Sequence, residues 1–209
     1  MTMQMASSLA LVEFATTAAG ILATDQALKR SPVAMLRCGT VHPGRYLLLL
    51  GGTVAATAEA HTMAVDVAHR LAALVDEIHL PDPHPLLSAA VQGERRSPTG
   101  DALGVLELGT SASLVRAVDA ALKTVPVELV EARLSDDLAG RGLALVSGRL
   151  PDVQTALDVA REHSGHAANW VGGTLLPRLD DTLRDVLAAG TRFGECRTWE
   201  PAGAEKVEG

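Results

Sequence analysis

The chain has 209 residues, of which 47% are hydrophobic, 21% are charged and only 2% are aromatic, and it carries a net charge of −7. This composition indicates a globular protein with thin cores of small side chains. Basic residues form no long run, so the electrostatic footprint of a nucleic-acid-binding protein is missing. The longest apolar run, Tyr46 to Leu50, is far shorter than the roughly 20 residues of a membrane-spanning helix. We therefore expect neither nucleic acid nor a membrane as a partner.

The segment from Met1 to Ala23 is apolar, but it lacks a basic start and contains Glu13, which is not typical of a secretory signal. Cys38 and Cys196 lie far apart and form no CxxC pattern, which favours reduced thiols over a disulfide or a zinc site. The sequence therefore predicts a cytoplasmic protein.

In the first half of the chain, hydrophobic periodicity and turn residues predict the order strand, helix, strand, strand, helix, strand. Ser31-Pro32 ends the first predicted helix and Pro43-Gly44 marks a turn. The predicted strands are Leu9–Ala15, Val33–Arg37, Arg45–Leu50 and Val75–Leu80, and the predicted helices are Thr17–Lys29 and Thr53–Leu71.

The second half repeats the first. Leu9-Ala10-Leu11-Val12-Glu13 matches Leu103-Gly104-Val105-Leu106-Glu107, and Asp25-Gln26-Ala27-Leu28-Lys29 matches Asp119-Ala120-Ala121-Leu122-Lys123, both 94 residues further on. The predicted elements of the second copy are the strands Leu103–Leu108, Val127–Arg133, Gly142–Val146 and Trp170–Leu176 and the helices Ser113–Lys123 and Asp152–His163. The fold class is therefore α/β (α+β), with two tandem ferredoxin-like β-α-β-β-α-β domains.

From Gly44, which matches Gly140, the offset between the copies becomes 96 residues. The two extra residues fall in a loop, 37–44 in the first copy and 131–140 in the second, and this tolerance of length indicates a surface or an opening. The predicted domains are residues 7–92 and 101–189, with a polar Gly- and Pro-containing linker at 93–100 and a loosely ordered tail at 190–209. Phe193 and Trp199 of that tail are candidates for docking on the body.

Three blocks of both copies carry a family resemblance: Leu11-Val12-Glu13, the helix end Asp25-x-Ala27-Leu28-Lys29, and the segment from His42 to Gly52. Together they resemble the bacterial microcompartment shell domain, in its non-permuted tandem-domain trimer type. The resemblance implies a pseudohexameric homotrimer that tiles with hexameric and pentameric shell proteins around enclosed enzymes. It further implies a structural role and an axial pore for small metabolites.

The resemblance places Lys29 and Lys123 at the edge where neighbouring tiles meet. A second interpretation is that each lysine complements the dipole of its helix end, a contribution of about 0.3–1 kcal/mol.

The same resemblance brings two loops to the threefold axis. The predicted pore-lining residues are Thr40, Val41, His42, Pro43, Ser135, Asp136, Asp137 and Leu138. Some relatives hold an iron–sulfur cluster through a Cys directly before the Pro-Gly pair, but here His42 stands at that position and Cys38 lies four residues earlier. His42 is a candidate for an axial metal ligand, because three imidazoles are a known zinc ligand set. The alternative is a neutral pore-lining histidine, and we expect no resident cofactor.

No motif predicts catalysis. The HExxH order of a zinc protease is not met by Glu162-His163-x-x-His166. The glycine pairs Gly51-Gly52 and Gly172-Gly173 match no phosphate-binding pattern and suggest tight turns. The nucleophile motif GxSxG is absent. His61 aligns with Leu157, which predicts a partly buried core histidine. We therefore expect no enzyme. Two other classes stay open, a metabolite-binding regulator with a closed cleft between the copies and an electron-transfer protein with an axial cluster.

Overall fold

The computed structural model describes residues 7–201 and 203–204. Two domains with the same order of elements follow each other along the chain. In the first domain these are β1 (Ser8–Phe14), α1 (Thr17–Arg30), β2 (Met35–Val41), β3 (Arg45–Gly52), α2 (Val54–Arg70), β4 (Leu74–Leu80) and α3 (Pro85–Ala90). The second domain contains β5 (Ala102–Leu108), α4 (Ser111–Thr124), β6 (Glu128–Leu134), β7 (Gly142–Gly148), α5 (Leu150–Glu162), β8 (Trp170–Leu176) and α6 (Asp181–Ala189).

Each domain is built on one four-stranded antiparallel sheet. The strand order is β2-β3-β1-β4 in the first domain and β6-β7-β5-β8 in the second. Helices α1 and α2 pack together on one sheet, and α4 and α5 pack together on the other. The predicted duplicated ferredoxin-like fold is confirmed. Within the described residues, no helix is both long and apolar enough to cross a membrane.

Small side chains bring the helices close to the sheets. The buried face of α1 consists of Ala19, Gly20, Ala23, Thr24 and Ala27. A Cβ atom on Gly20 would lie only 2.2 Å from the ring of Tyr46, so only glycine allows this approach. The low aromatic content is thus matched by thin, tightly packed layers.

Threonine side chains start three of the helices. Thr16, Thr53 and Thr110 each accept a hydrogen bond from the backbone N–H three residues further on, at 3.3, 3.2 and 3.1 Å. Each satisfies one backbone donor of a first helical turn. The cap at Thr110 explains why α4 begins at Ser111, two residues before the predicted start.

The structure corrects three predictions about local structure. Strand β2 extends to Val41, so Thr40 and Val41 are strand residues and the loop of the first copy is only the turn 42–44. Neither glycine pair forms a tight turn, because Gly51-Gly52 ends β3 and Gly172-Gly173 lies inside β8. Helices α3 and α6 end the two domains, in segments where the sequence predicted no helix. They are short, and their apolar contacts lie far away along the chain.

The predicted linker lies against the second domain. The Arg96 N–H donates to the Val130 carbonyl at 3.0 Å, and the Gly100 N–H donates to the Ser147 hydroxyl at 3.0 Å. In the tail, Phe193 is 96% exposed and does not dock on the body. Trp199 is half-buried, with the Arg197 guanidinium 4.0 Å above its ring.

Candidate functional site

The two loops of unequal length lie side by side within one chain. The turn at His42 and Pro43 and the longer loop at Asp137 and Ala139 line a common surface hollow. Both belong to the connection between the second and third strands of their domain, so the duplication brings equivalent connections together. This hollow is the candidate pore element of a single chain.

The longer loop is held in place by its neighbours. Its residues Ser135, Asp137, Ala139 and Gly140 all have positive φ angles, which keeps the loop compact. The Ser135 side chain is fully buried and shares a hydrogen bond of 2.6 Å with the Ser111 hydroxyl. Ser135 is therefore held inside the second domain, and the exposed tip of the loop begins after it.

The two acidic residues of this tip differ in their surroundings. The Asp136 carboxylate forms an ion pair with Arg192, which comes from the segment after α6. The Asp137 carboxylate is more exposed and lies 3.7 Å from the same guanidinium. The charge of Asp136 is thus partly neutralised inside one chain, so the two carboxylates are not equivalent.

A buried glutamate joins the two domains beside this loop. Glu13, at the end of β1, is fully buried and accepts a hydrogen bond of 2.7 Å from Arg45 Nη1. Its other oxygen accepts the Ser111 N–H at 3.0 Å, and Ser111 is the first residue of α4. Arg45 also donates to the Gly140 carbonyl at 3.4 Å. Burial raises the pKa of Glu13 above its usual 4.5, although Arg45 and the Ser111 N–H oppose that shift.

A second polar contact lies further along the same interface. The Thr110 hydroxyl donates to Asp76, and Arg116 Nη2 donates to the Glu77 carbonyl at 2.8 Å. Helix α4 thus packs against β1 and β4 of the first domain. The two domains are joined sideways, with the helix of one against the sheet edge of the other.

The two candidate edge lysines have different surroundings. Lys29 is exposed and pairs with Asp25 at 2.7 Å, one helical turn earlier. Lys123 makes the equivalent pair with Asp119 at 2.6 Å, and its ammonium also donates to the carbonyl of Asp82 in the first domain. Both lie in the last turn of their helix, as the sequence predicted, and their role at a tile edge stays a prediction.

A cleft of about 410 Å³ lies between the domains and bears on the idea of a metabolite-binding regulator. Its charged groups largely pair with one another: Arg95 forms an ion pair with Glu131, and the Thr191 hydroxyl donates to the same carboxylate at 2.7 Å. Arg133 donates to the Thr191 hydroxyl at 3.2 Å. The polar groups of the cleft thus tie the tail to β6, and the comparisons below do not support the regulator interpretation.

The histidines that the sequence analysis considered besides His42 are His61, His163 and His166. His61 is half-buried on α2, with Nε2 2.8 Å from Glu77 Oε2 and its ring stacked on that of His79. Burial lowers the pKa of His61 below 6.5, against the opposing charge of Glu77. At the end of α5, His163 Nδ1 lies 2.9 Å from the Val159 carbonyl, and His166 is exposed. This matches the expectation of a core histidine and of a solvated helix end.

The donor set at the turn does not fit an iron–sulfur cluster. Clusters are held by thiolates, whereas the turn presents the exposed imidazole of His42. Cys38 lies inside β2, four residues before His42, as an exposed free cysteine. Among the described residues of one chain, no group of three or more His, Cys, Asp or Glu side chains is close enough to share a metal ion.

The fold and the domain contact define a class of protein, a duplicated ferredoxin-like α/β protein whose two domains pack side by side. Comparison with known proteins identifies the family. The BMC domain model matches residues 8–83 and 102–179, one match in each domain. The chain belongs to the bacterial microcompartment shell proteins.

Individual relatives agree with this assignment. The chain is 30% identical over 186 residues to the bacterial microcompartment shell protein PduT of Citrobacter freundii, covering 89% of this chain and 100% of that protein. It is 26% identical over 199 residues to the carboxysome assembly protein CcmO of Synechocystis, covering 88% of this chain and 66% of that protein. A crystal structure of a microcompartments protein from Desulfitobacterium hafniense superimposes with a TM-score of 0.75 at 30% identity, covering 85% of this chain and 98% of that chain. The protein is therefore a structural component of a microcompartment shell.

Proposed function

We propose that three copies of the chain form a ring-shaped, pseudohexagonal tile of the shell facet. The observation that carries this proposal is the sideways packing of two equivalent domains, with α4 of the second domain against β1 and β4 of the first. Repeating that contact from one chain to the next gives a closed ring with six similar sectors from three chains. The tile lies among hexameric and pentameric shell proteins, encloses enzymes in the cytoplasm and has no catalytic role of its own.

The proposed opening of the tile is the threefold axis. There the His42 turn and the tip of the longer loop from each chain surround a narrow passage, together with the half-buried Leu138. Each chain contributes the imidazole of His42 and the carboxylate of Asp137 to this lining. Such a lining favours small polar metabolites over bulky anions. The proposed passage needs no resident cofactor, and three His42 side chains offer a contact for an anion or a metal ion.

Mass measurement combined with electron microscopy tests the tile. We expect light scattering of the purified protein to give three times the chain mass of 21.7 kDa. Electron micrographs of concentrated samples should then show sheets or tubes. A stable monomer at micromolar concentration would contradict the trimer, and discrete trimers that form neither sheets nor tubes would contradict the tile.

A further inference from the structure

One helix face is buried in the second domain and exposed in the first. On α4, Val115 is 2% exposed and Leu122 is 6% exposed, because this face packs on the first domain. The equivalent residues of α1, 94 positions earlier, are Ile21 at 56% and Leu28 at 43%. Two exposed aliphatic side chains on one face, where the other copy buries both, indicate a contact that a single chain leaves incomplete.

The matching surface shows the reverse asymmetry. Leu87 of α3 is fully buried in the same apolar cluster as Val115 and Leu122, because α3 packs across onto α4 and β6. Its equivalent in α6, Leu183, is 39% exposed. The α3 surface of the first domain is therefore part of the contact between the domains, and the corresponding α6 surface of the second domain is not.

Polar groups follow the same pattern. Glu13 is fully buried and accepts the N–H of Ser111 at the start of α4. Its equivalent Glu107 has a 38% exposed side chain, and Arg141, the equivalent of Arg45, lies 3.8 Å from it. The residue equivalent to Ser111 is Thr17, the first residue of α1. Among the residues that the structure describes, the Glu107 carboxylate contacts no helix N-terminus, and the N-terminus of α1 at Thr17 has no equivalent carboxylate. The negative carboxylate and the partly positive helix N-terminus are complementary in charge.

We propose that the α1 face of one chain binds the α6 and β5 surface of a second copy, with Glu107 of that copy accepting the Thr17 N–H. The proposal rests on the proposed trimer and names the residues that join its chains. It describes a head-to-tail contact between two different surfaces, which closes into a ring.

The chain offers a matched control for this contact. Val54 and Leu150 are equivalent residues at the starts of α2 and α5, and they are 44% and 43% exposed. Because both copies expose this position equally, the repeated contact does not use it. An arginine at Val54 therefore tests for non-specific effects of placing a charge on an exposed aliphatic residue.

The test uses the full-length chain with Ile21→Arg, Leu183→Arg or Val54→Arg, each checked by circular dichroism and sized by light scattering. We expect Ile21→Arg and Leu183→Arg to give folded monomers and Val54→Arg to give the wild-type trimer. Mixing the two monomeric variants should give a complex of two chains, because each retains one intact surface. If Ile21→Arg folds poorly, Leu36→Arg tests the same side. Leu36, which pairs with Leu50, is 43% exposed, whereas Leu129, which pairs with the equivalent Val146, is 2% exposed.

A wild-type chain that is not a trimer would contradict the proposed function. A wild-type trimer that survives both Ile21→Arg and Leu183→Arg would overturn this contact alone. Two monomeric variants that fail to combine, while the wild type is a trimer, would also overturn it, because head-to-tail surfaces must complement each other.

Discussion

Replacing Arg45 by alanine tests the joint between the two domains. Arg45 Nη1 lies 2.7 Å from Glu13 Oε1, and Glu13 has no exposed surface. The variant leaves the Glu13 carboxylate buried with only the Ser111 N–H as a partner. An uncompensated buried charge results, which is the costly way to break an ion pair.

The expected loss of unfolding free energy at neutral pH is about 3 kcal/mol. Removing one partner of a buried pair costs about 3–5 kcal/mol, and the lower end applies because the Arg45 side chain is 28% exposed. In the variant, the Glu13 carboxyl group either stays charged without its partner or takes up a proton. Both are unfavourable at neutral pH.

The loss should depend on pH with a definite sign. Burial raises the pKa of Glu13 above 4.5 in the folded chain, and Arg45 is the first of the groups that oppose the shift. A raised folded-state pKa gives stability that is present below pH 4.5 and is lost as the pH rises through the folded-state value. Removing Arg45 raises this pKa further, so the variant loses more stability and loses it up to a higher pH than the wild type does.

The assay is urea unfolding at one fixed protein concentration, at neutral pH and near the ordinary pKa of glutamate. Arg96→Ala is the control, because Arg96 and Glu128 form a half-exposed pair at 3.5 Å whose loss costs at most about 1 kcal/mol. An equal loss for Arg45→Ala at both pH values, or a loss no larger than that of the control, would refute the reasoning.

Three further predictions concern other parts of the molecule. The first is His61→Leu, which introduces the residue type of the equivalent Leu157. A lowered histidine pKa gives stability that is lost as the pH falls through that pKa, so the variant should show a smaller decline in melting temperature from about pH 7 to about pH 5. An unchanged decline would argue against His61 as its source. Lys29→Ala with Lys123→Ala should keep the trimer mass in light scattering and weaken sheet formation in electron micrographs, and loss of the trimer would show that the lysines were misplaced. His42→Ala should reduce zinc or anion binding in titration calorimetry with a nearly unchanged melting temperature, since His42 is exposed; unaltered binding would remove the case for this residue.

Much of the fold could be predicted from local signals. The offsets of 94 and 96 residues identify the duplication, because equivalent elements keep their spacing where packing constrains them. Strand alternation and helix periodicity then gave the order of elements, with most ends within two residues. Strand β2 was the exception: its edge position leaves most of its side chains exposed, so hydrophobic pattern does not mark the segment up to Val41 as a strand.

The sequence alone determined that Glu13 and Glu107 are equivalent, and likewise Ile21 and Val115. Only the tertiary structure decided that one member of each pair is buried and the other is not. The physical reason is that burial depends on which domain lies alongside, and the second domain covers the first on one side only. The same reason applies to α3 and α6: helices of 6 and 9 residues are too short to be stable by local propensity and form through contacts with residues remote in the chain.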